Sequence, residues 1–180
     1  SFPKIEQCSF VNCNLMATNF DGSRFRNCKF KGLVNSPWFS GYSTTAQKSI
    51  FGVFFRVSPR DYPNPMENVD FSEAELIGVS FINEIDLSKC IFPKDDERYL
   101  LLKNLQEVYS KAQEYMAANW DAKDWRKGKA VISNLYFTKN RQNQDMDFID
   151  KQIMLQSDDS HIFGEKFFTV IKEVNDKVNG

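Results

Sequence analysis

Residues 8–32 read CSFVN CNLMA TNFDG SRFRN CKFKG, with a large apolar residue at the third place of every five. Phe10, Leu15, Phe20, Phe25 and Phe30, preceded by Ile5, keep that spacing without a slip. A period of five fits neither the 3.6-residue helix nor the two-residue strand, and a fixed period of this kind signals stacked repeats. The series resumes with Met66, Phe71, Leu76 and Phe81 and, after one extra residue, Leu87 and Phe92. Two residues before most of these centres stand smaller side chains: Cys8, Cys13, Thr18, Ser23 and Cys28, then Val69, Ala74, Val79, Ile85 and Cys90. The places between are mainly polar or charged, so each unit sends one large and one small side chain inward.

These stretches, together with VDFSE AELIG VSFIN at 69–83, resemble the pentapeptide-repeat family, whose motif is a small residue, a polar one, a central Leu or Phe and two more polar places. The resemblance implies a mainly β solenoid plus α: a short right-handed four-sided β-helix, interrupted by an insertion and capped by a C-terminal helical region. On that plan residues twenty apart stack at the spacing of adjacent strands, about 4.8 Å. Phe10 then lies over Phe30, Ile5 over Phe25 and Cys8 over Cys28. Stacked cysteines have parallel Cβ vectors, whereas a disulfide needs converging ones, so Cys8 and Cys28 are expected to fill core as reduced thiols.

The repeat region is expected to span 1–92, with the period failing across an insertion at 33–65. Phe51, Val53, Phe55 and Val57 alternate there like a strand with one buried face, and SPRDYPNP at 58–65 reads as turns. A long insertion in a regular scaffold is a common place for binding residues, which makes Trp38, Phe39 and Tyr42 the candidate partner contacts. The alternative is that they pack locally.

After Pro93 the pattern becomes helical, so 93–180 is expected to be an α-helical region. Asp95 would cap a helix carrying Tyr99, Leu102, Leu105, Val108, Tyr109, Ala112 and Met116 along one stripe. A second helix is expected near 121–139, with Trp125, Ile132, Leu135 and Tyr136 as its apolar face, and a third over 146–156. Phe163, Phe167, Val170, Ile171, Val174 and Val178 mark a last one. An open stack leaves unpaired backbone groups at its end, so a cap is required of some element, and a homodimer through the last helix is a further option.

The 180-residue chain can hide roughly 70% of its unfolded surface. It shows no apolar run long enough for a bilayer and no apolar h-region at its start, so a cytoplasmic location is expected. Net charge is −1, but it is segregated: residues 1–60 carry eight Lys/Arg against two acids, and 61–100 carry three against ten. Such asymmetry either steers a partner or lets neighbouring strands attract one another.

The four cysteines lack C-x-x-C spacing, and one histidine, His161, excludes a His-rich metal site. Asp158, Asp159 and Ser160 before it read as caps of the last helix. No phosphate-cradling, nucleophile-elbow or zinc-protease motif occurs. No catalytic residue, cofactor or metal is therefore expected. The expected function is a non-catalytic protein-binding module whose partner is a toxin domain or a topoisomerase, with no direct nucleic-acid or membrane contact. An immunity or antitoxin-type protein suits the irregular decoration. The resemblance offers one alternative, a DNA-mimic protector of type II topoisomerase, although a mimic should carry acidic charge along its length and the first repeats here are basic.

Overall fold

The computed structural model describes residues 3–43, 47–50, 53–56, 58–136, 144–156 and 161–180. The chain forms two compact units, Ser1–Lys94 and Asp95–Gly180.

The first unit is built from short parallel sheets. Its strands are β1 (Lys4–Glu6), β2 (Ser9–Val11), β3 (Asn19–Phe20), β4 (Arg24–Arg26), β5 (Lys29–Asn35) and β6 (Trp38–Ser40), then β7 (Gln47–Ile50), β8 (Val53–Arg56), β9 (Val69–Ile77), β10 (Ser80–Ile82) and β11 (Cys90–Ile91). β1 pairs with β4 so that Ile5 meets Phe25, and β2 pairs with β5 so that Phe10 meets Phe30, both offsets being twenty residues. β5 continues to β9 and β9 to β11, while β6 lies between β3 and β10. Two aromatic columns result. Phe10, Phe30, Phe71 and Phe92 stack with centroids 4.6, 4.8 and 5.6 Å apart. Phe20, Phe39 and Phe81 do so at 5.1 and 5.4 Å. Edge-to-face contacts, such as Phe30 with Phe39 at 5.7 Å, join the columns, a geometry favoured by the ring quadrupole.

The corners carry a signature of their own. Gln7, Asn12, Ala17, Gly22, Asn27, Gly32, Asn68, Gly78 and Asn83 each stand two places after a centre and have φ between 49° and 81°. Asn and Gly tolerate this left-handed region best, which explains their recurrence there. Asn68 Nδ2 donates to Asn27 Oδ1 at 3.0 Å, linking two such corners.

The interruption begins later than the strict period predicts. The spacing shortens once, from Phe30 to Val34, and then returns to five at Phe39, so Val34 and Phe39 are buried centres and β6 belongs to the ladder. On the facing strand Phe71 to Leu76 still takes five residues, and an irregularity in the β5–β9 register after Lys29 absorbs the difference. The true gap runs from Phe39 to Met66, 27 residues where a regular step would use five. It holds the antiparallel hairpin β7–β8 and a short 3₁₀ turn at Pro59–Asp61. Val53 and Phe55 lie on β8, whereas Phe51 and Val57 fall outside the described residues.

The gap is closed by Asn64, which is 4% exposed. Its Oδ1 accepts from Phe25 N at 2.9 Å and Met66 N at 3.3 Å, its Nδ2 donates to Ser40 O, and its own N donates to Gly41 O at 2.7 Å. Gly41 is required because a Cβ there would lie 2.3 Å from Asn83 O.

The second unit comprises β12 (Tyr99–Leu102), α1 (Leu105–Asn119), α2 (Ala122–Tyr136), β13 (Asp147–Asp150), α3 (Lys151–Gln156) and α4 (His161–Asn179). Two expectations are corrected. Tyr99–Leu102 is a strand paired antiparallel with β13, not the start of a helix, and Asp95 caps a turn by accepting from Arg98 N. YLLL is a continuous apolar run, which suits a buried strand as well as a helix stripe. Asn104, at φ 51°, reverses the chain before α1. The helix expected over 146–156 is likewise half strand, because all four residues of Asp147–Asp150 are buried in the β12–β13 pair and only α3 is helical. Leu105, Val108, Ala112, Met116, Ile132, Phe167 and Ile171 form the centre of this unit's core.

Candidate interaction surface

Because Val34 and Phe39 point inward, the residues just before them, Leu33 and Trp38, are turned outward by strand alternation. Trp38 is 47% exposed, and its neighbours across the sheet are Asn19 and Ser80, both too small to cover an indole. Leu33 is 47%, Met16 63% and Val11 51% exposed. A groove of about 340 Å³ runs among Asn12, Asn14, Met16, Leu33 and Asn35. Single exposed apolar side chains mean little, but Met16 and Leu33 line that one groove, and Val11 and Trp38 are exposed on β2 and β6, so the paired backbone presents a surface suited to a partner.

The three candidates drawn from the sequence separate here. Trp38 is on the surface. Phe39 is fully buried between Phe20 and Phe81 and is a repeat centre, so it is not available as a partner contact; the single four-residue step is what moved it inward. Tyr42 is half-buried beneath Arg60, 5.5 Å from its ring, and Arg60 in turn donates to Glu84. Leu33, Met16 and Val11 escaped the sequence reading because they occupy places usually polar in the motif. That exception was their signal.

The segregated charges meet across β5 and β9 and at the bridge between Arg26 of β4 and Glu67. Arg26 Nε lies 3.3 Å from Glu67, Lys29 lies 3.6 Å from Asp70 and is bonded to Glu73, and Lys31 Nζ is 2.7 Å from Glu73. The Lys29 hydrogen bond, then that of Lys31, holds the Glu73 carboxyl down at about 2. Asp70 is also lowered, mainly by Ser72. Opposite charges facing one another across a sheet support its register, and Glu67, Asp70, Glu73 and Glu84 of the acidic stretch are here matched by bases from residues 1–60.

Reactive chemistry is not assembled among the described residues. All four cysteines are free; burial pushes the Cys28 thiol up and that of Cys90 to about 12, which keeps both protonated at neutral pH. His161 is exposed, and Asp158, Asp159 and Ser160 lie outside the described residues. No group of three or more His, Cys, Asp or Glu among the described residues could hold a metal ion, and no helix among them is long and apolar enough to cross a membrane.

Residues 1–32 match the family model described as Pentapeptide repeats (8 copies). No curated protein and no solved structure matches the chain. The matched segment is the one whose centres recur every fifth residue and whose strands pair twenty residues apart; the chain carries pentapeptide repeats in this segment.

Proposed function

We propose that the first unit is a right-handed four-sided β-helix acting as a non-catalytic protein-binding module, and that it serves as an immunity or antitoxin-type protein whose partner is a toxin domain. The family points to a protein-interaction role. The observation that carries the finer reading is a set of exposed apolar side chains: Leu33 and Met16 lining one groove, and Trp38 on the next strand. Exposed aromatic anchors on a preorganised scaffold are what tight recognition uses, since little entropy is lost on binding. The charge ladder argues against a DNA mimic, because Asp70 and Glu73 of β9 are matched by lysines instead of lining a uniformly negative face.

The test is affinity purification from the native host with wild-type protein and Trp38→Ala, followed by co-expression with the captured protein. Capture of a growth-inhibiting protein, whose toxicity the wild type relieves and Trp38→Ala relieves poorly, supports the reading. Capture of a type II topoisomerase, with inhibition of supercoiling at micromolar protein, would replace it with the protector reading.

A further inference from the structure

The exposed side of α2 is positive and contains no acid. Lys123, Arg126 and Lys129 are exposed there, with the small residues Ala122 and Ala130 among them, and Lys127 flanks them with its Nζ 5.4 Å from the Phe163 ring. Lys123, Arg126 and Lys127 are three and four residues apart, so they share one helical stripe, and the four cations fall within about 9 Å of helix axis.

The nearby acids are committed elsewhere. Asp121 Oδ1 accepts from Lys123 N and Asp124 N, both at 2.9 Å, which caps the helix and holds that carboxyl below its usual range. Asp124 is turned to Lys166, 2.8 Å away. Among the described residues, none forms an ion pair with Lys123, Arg126 or Lys129.

We propose that this face docks a short acidic segment of a protein partner, one that presents two or three carboxylates within a helical turn or two. Three observations select that chemistry. The one large apolar side chain beside the face, Trp125, is half-buried against the core beneath Lys129, so none stands free to insert into a bilayer, which interfacial helices need. Its positive charge is local: residues 95–180 carry 13 Lys/Arg against 15 acids, and a groove on α1 is lined by Glu107, Glu114 and Asp145 against a single base, Lys111. A long polyanion such as duplex DNA would meet that negative surface, whereas a short acidic segment would not. Ala122 and Ala130 also let a partner backbone approach closely. Such contacts accelerate encounter and set register.

The experiment is fluorescence anisotropy of the full chain against a labelled glutamate-rich peptide, with labelled duplex DNA and phosphatidylserine vesicles in parallel, at low and raised salt. The peptide is expected to bind most tightly. Lys123→Glu with Arg126→Glu should weaken it at least about tenfold, and the Gln pair by less. Glu107→Gln should not weaken it. Both altered side chains are exposed, and circular dichroism checks the fold; if the Glu pair unfolds, the Gln pair decides. No peptide binding at low salt, equal binding by the folded charge variants, or tighter binding of DNA or vesicles overturns the proposal.

Discussion

Trp38 and Phe39 are neighbours in sequence with opposite fates, and substitutions should separate them. Phe39→Ala empties a ring site that touches Phe20, Phe25, Phe30, Phe71 and Phe81, and should cost about 4 kcal/mol in urea unfolding. Trp38→Ala removes a half-exposed side chain and should stay within about 1 kcal/mol of wild type while weakening partner capture. Equal losses from the two would refute the assignment of faces. Asn64 is a sharper case, because its amide bonds Phe25 N, Met66 N and Ser40 O inside the unit. Asn64→Ala leaves buried polar groups without partners and should cost about 3 kcal/mol by the same measurement.

Among the elements, β5 and β9 are joined by exposed ion pairs, and Glu73 makes their pairing sensitive to acid. Its carboxyl ionises at about 2 in the folded chain and at 4.5 when unperturbed, so its contribution is fully present above about 4.5 and disappears as pH falls toward about 2. Unfolding midpoints measured across that window should fall with pH, and Glu73→Gln should flatten the fall. An unchanged slope would show that the lysines do not hold Glu73 in solution. The same strands explain what could be read in the sequence. From Ile5 to Phe30 one side chain per five residues turns inward, so a single period marks the stretch. At Val34 the chain shortens by one residue, and every later position on that layer is displaced from the period, which hid β6 inside the apparent insertion. Leu33 was hidden with it, whereas Trp38 stood out as an aromatic residue in the apparent insertion. In the second unit, YLLL and DFID are short and apolar, and neither length nor periodicity separates a buried strand from a helix face there. The corner residues were legible in principle: Asn or Gly two places after a centre is the trace of left-handed backbone.

For the whole molecule, the two units invite separate tests. The second has an apolar cluster drawn entirely from its own residues, from Leu100 to Val174. Residues 95–180 expressed alone should show helical far-ultraviolet circular dichroism and a cooperative thermal transition; a featureless spectrum would mean that this cluster does not suffice. The neck at Gly41 and Asn64 has a different consequence. Its two sides are fastened by Asn64 N to Gly41 O and Asn64 Nδ2 to Ser40 O, so the residues beyond it begin and end at one tied point. A graft made between Ser43 and Pro63 would thus inherit a fixed pair of anchor points, and the chain offers a natural port through which a foreign peptide could be displayed on an aromatic-cored stem.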